Sequence, residues 1–167
     1  AGMQGTMMQM FNHGINVIGM WMVVEMIERQ TGVRTMSGLG GLARKAPVLT
    51  ILFVVIALAN IALPLTNAFV GEFLMFTGVY LSNVSQFNYI YTAVSGISII
   101  LSAVVMLGLV QKVFWGNPQA GSAPMLEVKK HEQLALSVVV ALILIFGVYP
   151  QPLLNLTEST ATSIFLI

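Results

Sequence analysis

Pro64 to Tyr80 reads PLTNAFVGEFLMFTGVY, and this stretch places a single carboxylate, that of Glu72, among apolar residues. The whole chain of 167 residues contains only 7 Lys and Arg and 6 Asp and Glu, and 57% of it is hydrophobic. Soluble domains carry about a quarter of charged residues, so this composition predicts an integral membrane protein. Inside a membrane a carboxylate must be protonated, pair with a cation or face water, so Glu72 is a candidate functional residue.

Five apolar segments each approach the roughly 20 residues that a membrane-spanning helix needs. They lack the alternation of apolar and polar residues that strands of a membrane barrel would show. We therefore predict an all-α, single membrane domain over residues 1–167, with about five transmembrane helices at about 2–28, 47–63, 67–82, 89–115 and 133–149. Pro64 and Gly71 flank the Glu72 region and predict an interrupted helix, as in ion transporters.

Basic residues concentrate in two loops, at 28–45 and 116–132. The positive-inside rule favours the cytoplasmic side for both loops, but five simple spans would separate them. Either one loop departs from the rule, or the segments at 47–63 and 67–82 do not both span. Pro150 and Pro152 end the last predicted helix, and a mildly polar tail follows.

The first segment carries polar side chains at helical spacing, namely Thr6, Gln9, His13 and Asn16, with Asn12 beside them. Such a face either bonds to another helix or lines a wet path. Among these residues only His13 exchanges a proton near neutral pH, and its alternative role is that of a neutral packing residue. The candidates for proton transfer are Glu72 and His13, and those for a polar axis are Gln9, Asn12, Asn16, Glu25 and Asn67.

The fourth segment has small polar residues at helical spacing, namely Thr92, Ser95, Ser98 and Ser102. We favour packing between helices as their role, with a water-lined face as the alternative. The chain has no Cys and only two His, so thiolate zinc sites and Cys-ligated iron–sulfur clusters are excluded and no metal site is predicted. The formal net charge of +1 gives no reason to expect a nucleic-acid partner.

Several longer stretches form a recognisable set. They are QMFNHG at 9–14, GLGGLARKAP at 38–47, LPLTNAFVGEF at 63–73, FWG at 114–116 and GVYPQP at 147–152. Together they resemble the antiporter-like chain M (chain 4) family of respiratory NADH:quinone oxidoreductase, complex I. PLTN at 64–67 departs from the Gly-rich PG turn that is usual in the family.

The resemblance implies a bundle of about fourteen transmembrane helices, of which this chain would be the C-terminal portion. Glu72 would be the key carboxylate of the interrupted helix and His13 the histidine of the polar axis. The lysine partners would lie on upstream helices of the same subunit. The family topology would place loop 116–132 in the cytoplasm and loop 28–45 on the other side.

The function implied is that of a proton-translocating membrane-arm subunit, which couples quinone reduction elsewhere in the complex to proton transfer. This chain would bind no cofactor, with NADH, FMN, iron–sulfur clusters and quinone on other subunits. Its partners would be those membrane-arm subunits and lipids, in a bacterial inner membrane rather than a mitochondrial one. The alternatives are a subunit of a multi-subunit sodium/proton antiporter and a structural scaffold with a dry, packed Glu72.

Overall fold

The computed structural model describes residues 2–163, the last two by their backbone alone. This part of the chain is all-helical and contains no strand. A π-helical turn at Gln111–Trp115 extends the fourth helix, and short 3₁₀ turns occur in the loops. The helices are α1 (Gly2–Thr31), α2 (Pro47–Asn60), α3 (Asn67–Tyr80), α4 (Asn88–Val110), α5 (Lys130–Val148) and α6 (Gln151–Ser163).

Helices α2 and α3 together run antiparallel along α1. Gly19 of α1 lies against Ile56 of α2, whereas Gly2, at the start of α1, lies against Gly78 near the end of α3. At about 1.5 Å per residue, α1 is about 45 Å long and α2 and α3 are about 21 Å each. Each of the two shorter helices therefore covers about half of α1, and neither alone spans a hydrocarbon core of about 30 Å.

Since α2 and α3 form one interrupted crossing, the two basic loops meet at the same end of the bundle. The backbone N–H of Gly40 donates to Ser122 Oγ at 2.8 Å, and the N–H of Val48 donates to Glu127 Oε2 at 2.8 Å. The expectation that these loops lie on opposite sides is wrong, because it counted two spans where the structure has two halves of one. All seven basic residues lie at this end, namely Arg29, Arg34, Arg44, Lys45, Lys112, Lys129 and Lys130.

The interruption between α2 and α3 covers residues 61–66. Ala62 (φ 51°) and Leu65 (φ 75°) adopt the left-handed conformation, and Pro64 lies between them. Gly71 does not break the helix, because α3 continues through it without a gap. Gly147 of α5 packs closely on the backbone of Leu65, so a methyl group on residue 147 would overlap the Leu65 carbonyl oxygen.

The polar tail forms a sixth helix that the sequence analysis did not predict. Pro150 and Pro152 are predicted to end α5 and to be followed by a tail, yet α6 begins at Gln151 and contains Pro152 in its first turn. Proline is tolerated there because the first backbone N–H groups of a helix have no intrahelical acceptor. Gln4 Nε2 donates to the carbonyl of Leu154 at 3.1 Å, which joins α6 to α1.

Within residues 2–163, two helical stretches are long and apolar enough to cross a membrane, Asn88–Trp115 and Lys130–Val148. Pro47–Asn60 is apolar but shorter, in keeping with its place as half of a crossing. The predicted count of about five spans is therefore not confirmed.

Candidate functional site

Helices α1 and α3 approach each other closely through glycines. A methyl group at Gly5 would lie 2.8 Å from the carbonyl oxygen of Gly71 and from the nitrogen of Met75. A methyl group at Gly71 would lie 2.6 Å from Gln9 Oε1. Gly71 is thus a packing residue that brings α3 against α1, and it fixes which way the next residue, Glu72, faces.

Asparagine side chains of α1 bond to the backbone on both sides of the interruption. Asn12 Nδ2 donates to the carbonyl of Asn67 at 2.8 Å, and Asn67 Nδ2 donates to the carbonyl of Asn12 at 3.4 Å. Asn16 Nδ2 donates to the carbonyl of Ala59, near the end of α2, at 3.2 Å. All three asparagines are buried. The interruption is therefore held against α1 by side-chain amides that bond to backbone carbonyls, as buried backbone polar groups in a membrane require.

Three buried side-chain oxygens of α1, Gln9 Oε1, Asn12 Oδ1 and Asn16 Oδ1, accept no hydrogen bond from any described residue. The orientation of both asparagine amides follows from their bonds, since a carbonyl acceptor requires the NH₂ group. Buried polar atoms in native proteins are satisfied by protein or by ordered water. These oxygens, spaced three and four residues apart on one helix, form a row of acceptors suited to water.

Glu72 faces α4 rather than α1. It is half-buried and lines a cavity of about 300 Å³ between α3 and α4, together with Ser95 and Ser98. Ser98 Oγ donates to the carbonyl of Ser95 at 2.6 Å. The cavity walls are otherwise apolar, and no residue in the described part of the chain forms a hydrogen bond or ion pair with the Glu72 carboxylate. Packing between helices was the role expected for these serines. They are the other polar residues that line the cavity of this carboxylate, and their i, i+3 spacing was the available signal.

The polar stripe predicted on α1 is divided by the packing of the helices. Asn12 and Asn16 are buried and Gln9 is partly buried, whereas His13 and Thr6 are exposed. Glu25 is also exposed and lies 3.4 Å from Arg29. The structure therefore brings Gln9, Asn12, Asn16 and Asn67 to the interruption, and it leaves His13 and Glu25 on outward surfaces of α1.

One buried carboxylate was missed by the sequence analysis. Glu132, in the first turn of α5, pairs with Arg29 at the end of α1 and accepts a hydrogen bond from the Lys129 N–H at 2.9 Å. The Lys-Lys-His-Glu context looked like a solvated loop, which hid its position between two helices. The described residues hold no cluster of three or more His or acidic side chains that would bind a metal.

Comparison with known proteins finds similar chains among subunits of NADH-quinone oxidoreductase and F(420)H(2) dehydrogenase. Residues 1–99 match the family model described as "NADH:quinone oxidoreductase/Mrp antiporter, TM". The chain is 31% identical to NADH-quinone oxidoreductase subunit M of Mycobacterium tuberculosis, over 98% of this chain and 29% of that protein. It is 28% identical to F(420)H(2) dehydrogenase subunit M of Methanosarcina mazei, over 96% of this chain and 31% of that protein.

The fold is also similar to that of a solved structure. A chain of respiratory complex I from Thermus thermophilus with bound NADH superposes with a TM-score of 0.79 and 27% identity, covering 95% of this chain and 33% of that one. The chain spans about a third of the length of the relatives it matches. These matches confirm the resemblance seen in the sequence motifs and support an integral membrane location. Because the family model covers more than half of the sequence, the chain belongs to the NADH:quinone oxidoreductase/Mrp antiporter transmembrane family.

Proposed function

We propose that the chain is part of a proton-translocating membrane-arm subunit of an NADH:quinone oxidoreductase. The observation that carries the proposal is Glu72, a half-buried carboxylate beside an interrupted crossing. It has no partner in the described chain and shares a cavity with two hydroxyl groups. An ionisable residue at such a place in a membrane protein is a candidate for proton transfer. The names of the similar proteins, given above, support the same assignment.

In this proposal Glu72 alternates between a protonated state and a charged state that pairs with a cation. The described part of the chain offers no cation near Glu72, so a lysine from the upstream part of the same subunit would supply it. Quinone reduction elsewhere in the complex would shift the balance between the two states by changing the local electrostatics. Ser95 and Ser98 would hold water next to the carboxylate.

His13 is the proposed second proton carrier. The row of unpaired amide oxygens at Gln9, Asn12 and Asn16 would hold water along α1, and Asn67 would keep the interruption open to it. Because Glu72 faces α4 and His13 is exposed on α1, transfer between them requires water or residues beyond this chain. Glu25, near the basic loops, would lie where water enters or leaves.

Cofactors and most partners belong to other chains in this proposal. NADH, FMN, iron–sulfur clusters and quinone would be bound by other subunits, and other membrane-arm subunits and lipids would contact this one. The membrane would be the bacterial inner membrane, with the basic loops in the cytoplasm. A sodium/proton antiporter subunit, which the family description also covers, is not favoured, because the similar proteins are named as redox-linked subunits.

Glu72→Gln in the full-length subunit, within its assembled complex, tests the proposal. We expect the rate of NADH-driven proton pumping to fall by at least about tenfold, since a positioned acid–base group contributes on the order of 10²–10⁴-fold to the rate of a proton transfer. Glu72→Asp should restore part of it. Thr77→Val, which removes another polar group from α3, is the matched control. Unchanged pumping in the assembled Glu72→Gln complex would exclude this role.

A further inference from the structure

Two cavities adjoin each other at the end of α1 that carries the basic loops. One, of about 500 Å³, lies between α1, α4 and the loop at 32–39 and is mainly apolar. The other, of about 410 Å³, lies beside it and is lined largely by charged residues. Trp21, Val24, Glu28 and Arg34 line both cavities. The two cavities therefore form one amphipathic recess rather than two separate sites.

The apolar part of this recess has a fixed wall. Phe53 of α2 and Phe114 at the end of α4 stack with their ring centroids 4.7 Å apart, and both belong to the buried core. Val23 and Ile27 of α1 complete the buried side of the cavity. The volume of the cavity is within the range of ligand sites. Its aromatic wall is held in place by the protein core and needs no ligand to form.

The polar part balances two cations against two anions. Glu25 lies 3.4 Å from Arg29, and Glu28 lies 2.6 Å from Arg34. The Arg34 side chain is 80% exposed, so most of its guanidinium N–H groups remain available to a ligand. The four charges of this cavity sum to zero, and Arg29 is shared with Glu132 as well.

This charge balance decides the class of headgroup. An anionic headgroup would meet two carboxylates without a surplus of positive charge. A zwitterionic headgroup meets both signs, with its phosphate against the guanidinium groups and its ammonium against the carboxylates. A primary ammonium also donates hydrogen bonds to a carboxylate, which a quaternary ammonium cannot do.

The two parts lie side by side along the same stretch of α1, near the end that carries the basic loops. The apolar part is lined by α1 residues from Met20 to Glu28 and the polar part by α1 residues from Trp21 to Arg29, and both parts reach Arg34 in the loop. Trp21, at the boundary, is 68% exposed, as is typical of aromatic residues near a membrane interface.

We propose that this recess binds a zwitterionic phospholipid with a primary-amine headgroup. One acyl chain occupies the cavity beside Phe53 and Phe114, the phosphate binds Arg34, and the ammonium group binds Glu25 and Glu28. The competing occupant is a helix from the upstream part of the same subunit, which would fill the recess with protein.

The test uses the full-length subunit in its assembled complex, reconstituted in nanodiscs that contain a phosphatidylethanolamine with a photoreactive diazirine in its acyl chain. We expect adducts on the peptide that carries Met20 and Val24. Unlabelled phosphatidylethanolamine should suppress these adducts at least tenfold more effectively than phosphatidylglycerol or phosphatidylcholine. No adducts on this peptide, or equal competition by the three lipids, would overturn the proposal.

Variants then separate the two parts of the site. Val24→Trp should fill the apolar part and abolish labelling, whereas Val138→Trp, at an exposed position of α5, should not. The double variant Glu28→Gln, Arg34→Gln should remove the preference for phosphatidylethanolamine, whereas Arg44→Gln should keep it. If a cysteine at Met36 instead forms cross-links to the upstream helices in the unlabelled complex, the recess is filled by protein and the proposal fails.

Discussion

The contact between α1 and α3 allows a graded prediction from three glycines. A methyl group in Gly5→Ala would lie 2.8 Å from three atoms of α3, two of which are backbone atoms of Gly71 and Met75. The helices would have to separate by about 0.6 Å to restore the 3.4 Å at which ordinary contacts begin. Overpacking of this kind costs about 1–3 kcal/mol, which lowers the ratio of folded to unfolded protein between about fivefold and about 150-fold.

The same helix supplies the control. Gly14→Ala has no neighbour within 4 Å and gains up to about 1 kcal/mol of helix propensity. Gly71→Ala should lie between the two, because its closest contact, Gln9 Oε1, is the end of a flexible side chain. We would measure the thermal stability of the full-length subunit in its complex by fluorescence-detected size exclusion. The Gly14→Ala variant should be the most stable of the three, Gly71→Ala intermediate and Gly5→Ala the least stable. Equal stability of the Gly5 and Gly14 variants would refute the close approach of α1 and α3.

Two further predictions concern polar contacts between helices. Glu132→Gln should lower the thermal stability of the complex more than Glu28→Gln, because Glu132 is buried against Arg29, whereas the more exposed pair of Glu28 is worth at most about 1 kcal/mol. A smaller loss for Glu132 in thermal denaturation would contradict the buried pairing. Asn12→Ala should cost about 0.6–1.7 kcal/mol, the range for a hydrogen bond between membrane helices, and cysteine cross-linking between α1 and α3 should slow. If the cross-linking rate is unaltered, the position of Asn67 against α1 does not depend on the hydrogen bond from Asn12.

Composition and apolar length were sufficient to predict an all-α membrane chain, and local motifs were sufficient to predict its family. The same signals could not give the topology, because α2 and α3 each resemble a short span when read alone. The two helices form one crossing because they pack against α1 through residues that are distant in sequence, such as Asn16 and Ala59. The loop contacts that place both basic segments at one end are likewise long-range, and no local pattern encodes them.

The environments of the candidate site residues could not be predicted for a similar reason, because they depend on which helices pack together. Helical spacing grouped polar residues on one face of α1, but it could not tell which of them another helix would bury, so His13 and Asn16 were expected to share an environment. The cavity of Glu72 depends on which face of α3 meets α4. That face is set by Gly71, whose lack of a side chain was taken as a sign of a helix break rather than of close packing.

The interrupted crossing has a consequence for the assembly of the chain. A helix as short as α2 cannot remain in lipid alone, because backbone carbonyls on the two sides of the interruption, those of Ala59 and Asn67, would lose their side-chain donors on α1. The asparagines of α1 bond to the carbonyls of Ala59 and Asn67, on the two sides of the interruption, as soon as α2 and α3 are made. Gly147 of α5 packs on Leu65 only after α4 has been synthesised and inserted. The interruption is therefore completed only when α5 folds back onto the middle of the chain.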